Sequence, residues 1–343
     1  MFNKILLAST LLATASALNL SHEEIEQKFT TFKQEHKKTY ATQEEHVHRF
    51  SVFMDTLKLI EERNAAEQGS ATHGITRFAD LTQEEFRAQF LGVNMAQKFR
   101  AHRGNATSVS VPPVTSGATA KDWTATQTTA IKDQGHCGSC WAHAAAEQME
   151  SDGMRLLGNP ASLTLSVQQM VSCDHGDAQL GCMGGLQETA FDYVRDNGGI
   201  VSEQDYPYSS YEGSTGRCDS SKDNYIVGVK GYDFMFDATV QETEQSFTNY
   251  MLSEAGGTIS IGVDATTWST YTGGVMSNCG KGTDINHSVQ AVGVDSSSSG
   301  GYWKIRNSWS PSWGEDGFIR VQYGANTCGL VTEGGSYTTV FNI

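Results

Sequence analysis

Gln134-Gly135-His136-Cys137-Gly138-Ser139-Cys140-Trp141-Ala142 decides how this 343-residue chain is read. An Ala-rich run follows from Cys140 to Leu157, and Gly158-Asn159-Pro160 closes it. Gly takes the left-handed cap of a helix and Pro cannot continue one. Cys140 therefore falls in a first helical turn, behind a Gly-Ser turn. Unpaired N–H groups and the positive end of the helix dipole stabilise a thiolate there. Three chemistries compete for this stretch. A redox pair of Cys137 and Cys140 calls for a preceding βαβ pattern, which is missing. A zinc site on Cys137, Cys140, His136 and His143 calls for a second Cys-x-x-Cys or a His-x-x-x-His, and neither follows. A catalytic thiol calls for a base and an oxyanion donor elsewhere in the chain. The reading takes the third and implies no metal and no cofactor.

The cysteine count agrees. Seven is odd. Lys4, the apolar run Ile5 to Leu12 and the small residues Ala15-Ser16-Ala17 form a secretory leader, cut after Ala17. Entry into an oxidising lumen lets six cysteines pair and leaves one thiol. Sequence alone leaves fifteen pairings open. The expected destination is a lysosome-like acidic compartment or the outside.

Composition bounds the rest. The net charge is −15, which disfavours nucleic acid as a partner, because phosphate binding needs clustered Lys and Arg. No run of 18 apolar residues exists, so no membrane span is expected. Residues 21 to about 100 read as helices. Ser21 caps one, with Glu23 and Glu24 in its first turn and Ile25, Phe29 and Phe32 at helical spacing. A second runs from Gln43 to Asn64 with Val47, Phe50, Phe53, Leu57 and Ile60 on one face. A third opens at Thr82, where Glu85 completes a capping box. Pro112-Pro113 and the Thr/Ser/Gly/Ala stretch up to Lys121 form a linker. All seven Cys and all six Trp lie beyond it. The expected division is 1–17 leader, 18–114 pro-segment and 115–343 mature part. Segment 18–114 holds 12 Lys+Arg against 13 Asp+Glu and six of the ten His. The remainder from 115 holds 11 against 26. That contrast points to an association that acidification alters. Strand-like runs follow at Thr258–Val263, Val289–Val294, Tyr302–Ile305 and Phe318–Tyr323.

Residues 134–142 match a known signature, and other stretches join them. These are Gly181-Cys182-Met183-Gly184-Gly185, Ile285-Asn286-His287-Ser288, Asn307-Ser308-Trp309 and Trp313-Gly314-Glu315-Asp316-Gly317. Upstream, Glu45, Arg49, Val52, Phe53, Ile60, Asn64, Gly74, Phe78 and Asp80 form a pro-segment pattern. Together they make the chain resemble a precursor of the papain-family cysteine peptidases, cathepsin L type, over nearly all its length after the leader.

The resemblance implies an α+β fold. A helical half and a barrel-like β-rich half would follow a mainly helical inhibitory pro-segment, which would run through the cleft in the non-productive direction. It implies an endopeptidase working through an acyl-enzyme, made as a zymogen. Cys140 would be the nucleophile and His287 the general acid/base. Asn307 would orient the imidazole, and Trp309 would shield that bond from water. Gln134 and the Cys140 N–H would form the oxyanion site. Gly184 and Gly185 would pair with substrate backbone. Leu186, Gln187, Gly262, Ile285 and Ser288 would wall the pocket for the residue two before the cut bond. Its base would be Glu333, or Gly334 if one extra residue is counted. An apolar residue, and with Glu333 a basic one, would fit. The implied disulfides are Cys137–Cys182, Cys173–Cys218 and Cys279–Cys328. Implied partners are protein and peptide substrates, the chain's own pro-segment and cystatin-like inhibitors, for a monomeric enzyme. Departures are Thr56 and Thr76 in place of Asn, Met183 in place of Asn, and His143 in place of an aromatic, read as packing. Of two glycosylation sequons, Asn286 is expected to be buried and bare, and Asn105 is the better acceptor.

Overall fold

The computed structural model describes residues 20–92, 101, 109, 111, 117–176, 179–279, 284–298 and 300–343. The leader, the acceptor Asn105 and most of the stretch between Pro113 and Gly117 lie outside them.

Two capped helices open the chain. Helix α1 (His22–Glu35) carries a full capping box between Ser21 and Glu24. Helix α2 (Gln43–Glu67) is capped by Thr42. Ile25, Phe29 and Phe32 of α1 pack on Phe53, Met54, Leu57 and Ile60 of α2 as a small separate core. Val47, expected on that face, is 39% exposed. The stripe runs through His46 instead, whose ring meets Phe29 at 5.4 Å and Tyr40 at 5.8 Å. A short strand, β1 (Ala71–His73), was not legible in a segment that reads as helical. Helix α3 (Gln83–Phe90) has the expected Thr82–Glu85 box. Arg49 ties it to α2 by bonding Glu85 and the Asp80 carbonyl.

Beyond the linker come a helical and a sheet half. The helical half holds α4 (Thr124–Gln127), α5 (Cys140–Leu157), α6 (Val167–Cys173) and α7 (Gln187–Asp196). They bury Trp141, Ala145, Met149, Met170, Phe191 and Val194. Helix α5 has the expected bounds, with Gly158 at φ 69° as its left-handed cap.

The sheet half holds β2 (Ala120–Asp122), β3 (Val227–Met235), α8 (Val240–Leu252), β4 (Ile259–Val263), β5 (Tyr271–Met276), β6 (His287–Asp295), β7 (Tyr302–Arg306), β8 (Phe318–Gln322) and β9 (Gly335–Asn342). The order is β1-β5-β8-β7-β6-β4-β9-β3, with β2 on β6. The four strand-like runs are all strands, displaced by at most two residues at either end. Strands β2, β3, β5 and β9 were missed; glycines interrupt the alternation of β3 and β5, and β2 is only three residues long.

The faces of β4 and β6 position the site. Ile259, Ile261, Val263, Val289 and Ala291 join Trp268, Trp303 and Trp313 in one core. Ser260, Gly262, Ser288 and Gln290 alternate with them, and Ser288 and Gln290 bond residues of the helical half. The two halves thus meet across a buried polar seam. The three disulfides form as the resemblance implied, and Cys140 is the free cysteine.

Candidate active site

Cys140 opens α5 directly after its N-cap Ser139. The backbone N–H groups of Ser288, Trp141, Cys140 and Gly92 surround its sulfur. Ser288 follows His287, so the two halves bring thiol and imidazole to one place. The pairing of Gln290 with Arg306 carries the chain on to Asn307 beside His287. His287 Nε2 donates to Asn307 Oδ1 at 2.8 Å, and the Ser308 N–H donates to the same oxygen at 2.8 Å. That bond puts the neutral ring's proton on Nε2 and leaves Nδ1 as the free base. Nδ1 is buried and has no hydrogen-bond partner.

Gln134 is fully buried and held on both sides. Its Oε1 accepts from Ser308 Oγ at 2.8 Å and Trp309 Nε1 at 3.1 Å. This leaves Nε2 as the donor face, bonded to the Cys137 carbonyl at 2.9 Å and the Phe90 carbonyl at 3.1 Å. The Trp309 ring centroid lies 4.7 Å from that of His287, with the two planes tilted by 31°.

The pro-segment enters this constellation, which sequence reasoning did not place in detail. Phe78 and Phe86 meet Trp309 edge-on at 5.4 and 5.3 Å. Phe90 and Leu91 are buried, and the Gly92 N–H donates to the Asn286 carbonyl at 2.6 Å. The cover removes water, and that changes the charge state expected from sequence. Burial pushes the Cys140 thiol up to about 11, against the pull of the N–H groups around it. Burial also brings the His287 imidazole down to about 4, opposed by its Asn307 bond. Under this cover desolvation outweighs the N–H groups and favours the uncharged form of each group.

Gly185 sits against Trp141, where a Cβ would come within 2.5 Å of the indole ring. Gly184 has φ 122°. Leu186 and Ile285 are buried, and Met183 is exposed. Ser288 donates to Gln187 Oε1 at 2.8 Å and lies opposite Gly262 across β4 and β6. Glu333 is buried just before the turn into β9. Gly334 has φ 84°, and a Cβ there would sit 2.7 Å from the Met235 carbonyl, so it turns toward β3. His143 packs on Tyr208 with ring centroids 5.0 Å apart, and its Nδ1 lies 3.0 Å from the Ser139 carbonyl. Asn286 is buried with its amide bonded to Thr266 and the Ala265 N–H, as its sequon reading required.

Two supports escaped the sequence. Tyr208 donates to the Gln134 carbonyl and shares a bond with Ser139 Oγ, both at 2.8 Å. Arg306 and Glu147 are buried in the seam. A charged residue directly before Asn307 was the signal for Arg306; nothing local marks Tyr208.

Residues 118–338 match the family model described as papain family cysteine protease, and residues 29–86 match that of the cathepsin propeptide inhibitor domain. The chain belongs to the papain family of cysteine proteases. Among curated relatives, oryzain beta chain of Oryza sativa subsp. japonica is 37% identical over 297 residues, which cover 83% of this chain and 60% of that protein. Cysteine proteinase 15A of Pisum sativum is 35% identical over 333 residues, covering 91% and 85%. Among solved structures, a digestive procathepsin L 3 of Tenebrio molitor larval midgut superposes with a TM-score of 0.74 at 30% identity, covering 92% of this chain and 99% of that one. The family fold, a two-part protease preceded by an inhibitory propeptide domain, is thus this chain's fold.

Proposed function

We propose that this protease is an endopeptidase zymogen in which Cys140 is the nucleophile and His287 the general acid/base. The single observation that carries the reading is the His287–Asn307 bond, which leaves His287 Nδ1 as the free base. In the uncovered enzyme the proton moves from Sγ to Nδ1. The thiolate attacks the carbonyl carbon of the scissile bond, and the tetrahedral oxyanion takes hydrogen bonds from Gln134 Nε2 and the Cys140 N–H. His287 then protonates the leaving amine, and water releases the acyl group from sulfur. An oxyanion donor of this kind contributes about 3–4 kcal/mol to the transition state.

The division is 1–17 leader, 18–114 pro-segment and 115–343 mature enzyme, a monomer in the secretory route bound for an acidic compartment or the outside. The pro-segment inhibits by occupancy, in the non-productive direction. Phe90 takes the donor face of Gln134, and Gly92 takes the Asn286 carbonyl two residues later. Gly184 and Gly185 offer backbone to an extended substrate. Glu333 lines the pocket for the residue two before the cut bond and adds Arg to the apolar residues it accepts. Cystatin-like inhibitors fit the same open cleft. The test is Cys140→Ser: the precursor folds, and peptide hydrolysis is lost. Turnover near the wild-type rate would overturn the assignment.

A further inference from the structure

Arg306 and Glu147 are buried charges at the centre of the seam, and the mechanism above uses neither. Arg306 is fully buried, and Glu147 is 1% exposed. Arg306 Nη2 donates to Thr129 Oγ1 at 2.8 Å and to the carbonyls of Thr129 and Ala130 at 3.0 and 2.7 Å. Its Nη1 reaches Gln290 Oε1 at 3.4 Å. Its Nε faces Glu147 Oε1 at 3.5 Å, and both atoms lack any hydrogen-bond partner. One guanidinium, carried on the strand leading into Asn307, therefore reaches three other segments: the strand carrying His287, the stretch leading to Gln134 and the helix carrying Cys140. Glu147 is seven residues from Cys140, two turns along the same face of α5. It is the contact of Arg306 to that helix.

We propose that Glu147 is a positioning residue, whose carboxylate closes on Arg306 Nε and so sets the separation between the Cys140 helix and the Asn307 strand. A charge-assisted N–H···O bond is about 2.7–2.9 Å long, so closure from 3.5 Å is a movement of about 0.6–0.8 Å. Displacements on that scale between reacting groups change rates about tenfold or more. The inference rests on Cys140, His287 and Asn307 being the catalytic groups. The charges facing Glu147 are Arg306 from β7, Lys132 from the stretch before Gln134 and Glu150 from its own helix. The β6 strand offers only the amide of Gln290. Burial brings the Glu147 carboxyl up to about 7, against Arg306 and Lys132. The carboxylate form is thus present above that value and lost in acid.

The experiment compares processed wild-type enzyme with Glu147→Gln, Arg306→Lys and the double variant. Competent sites are counted with an epoxysuccinyl peptide inhibitor, and kcat and KM are read from pH 4.5 to 8. The expected result for Glu147→Gln is kcat per site lowered about tenfold at pH 8, a smaller loss at pH 5 and KM within about twofold. The double variant should lose no more than Arg306→Lys, since the two act through one contact. Unchanged kcat per site at every pH, with only the melting temperature lowered, would overturn the proposal. So would additive losses. If wild-type enzyme takes no inhibitor on Cys140, the catalytic assignment fails instead, which separates the two.

Discussion

Gln134 Nε2 donates to the Phe90 carbonyl at 3.1 Å, so the amide proposed as the oxyanion donor is already engaged by the chain's own pro-segment. On the proposed mechanism, inhibition and catalysis draw on one donor. Gln134→Ala in the processed enzyme should lower kcat about 10²–10³-fold and also weaken binding of an added pro-segment. Steady-state kinetics and inhibition constants, measured on one preparation, check both effects. A loss of kcat without weaker inhibition would contradict the shared role.

The pro-segment is anchored by rings. Phe78 meets Phe86, Phe90 and Trp309 within 5.4 Å, and all four are buried. Truncating a buried Phe costs about 3–5 kcal/mol. Phe78→Ala in the isolated pro-segment should therefore raise its inhibition constant at least about a hundredfold. A change below threefold would show that the cluster does not carry the contact.

Acid should loosen the cover. His73 is buried between Arg63, Glu67 and the mature part, with Nδ1 2.9 Å from Thr270 Oγ1. Burial, then Arg63, bring its imidazole down to about 4, against Glu67. Desolvation likewise lowers His136, which lies beside Phe90. The sign follows from which state binds protons. A histidine depressed in the covered state supports that state fully above its free value of about 6.5 and loses this support as pH falls toward 4. Glu67, held low in the covered state by Ser277, Ser70 and the Asn278 N–H against desolvation, acts in the same direction at lower pH. Pro-segment affinity should fall from pH 6.5 to 4, and His73→Gln should flatten that slope. Calorimetric affinities across this range check it; equal slopes for both proteins would refute the role of His73.

The pocket prediction concerns Glu333. Reporter peptides with Arg or Phe two before the cut bond should both be cleaved, and Glu333→Ala should reduce the Arg peptide selectively. A preserved Arg-to-Phe ratio would remove Glu333 from the pocket base.

The Cys137–Cys182 bond closes a loop of 45 residues next to Cys140. In the chain-entropy model such a closure stabilises by about 4 kcal/mol. Replacing both cysteines by Ser should lower the unfolding free energy by roughly that amount in denaturant titrations.

Much of this was legible because short-range signals carried it. The caps at Ser21, Thr42 and Thr82, the stop at Gly158 and the place of Cys140 at the start of α5 all follow from residues within a few positions of one another. The motif around Cys140, His287 and Asn307 named the candidate site, and its resemblance supplied the disulfides. What escaped depends on contacts distant in the chain. Strand β1 exists because β5 offers an edge two hundred residues later, with Ala71 opposite Gly274. Val47 lost its place to His46 because an aromatic cluster from α1 chose the face. The desolvation that raises the Cys140 thiol comes with Gly92 of the pro-segment beside it, which no pattern around residue 140 announces.

The most direct test is mass analysis of precursor and acid-processed protein after brief exposure to an epoxysuccinyl peptide. One adduct on Cys140 in the processed form, and none in the precursor, is the expected result. An unlabelled Cys140 in processed protein that still hydrolyses peptide, or hydrolysis that survives Cys140→Ser, would contradict it.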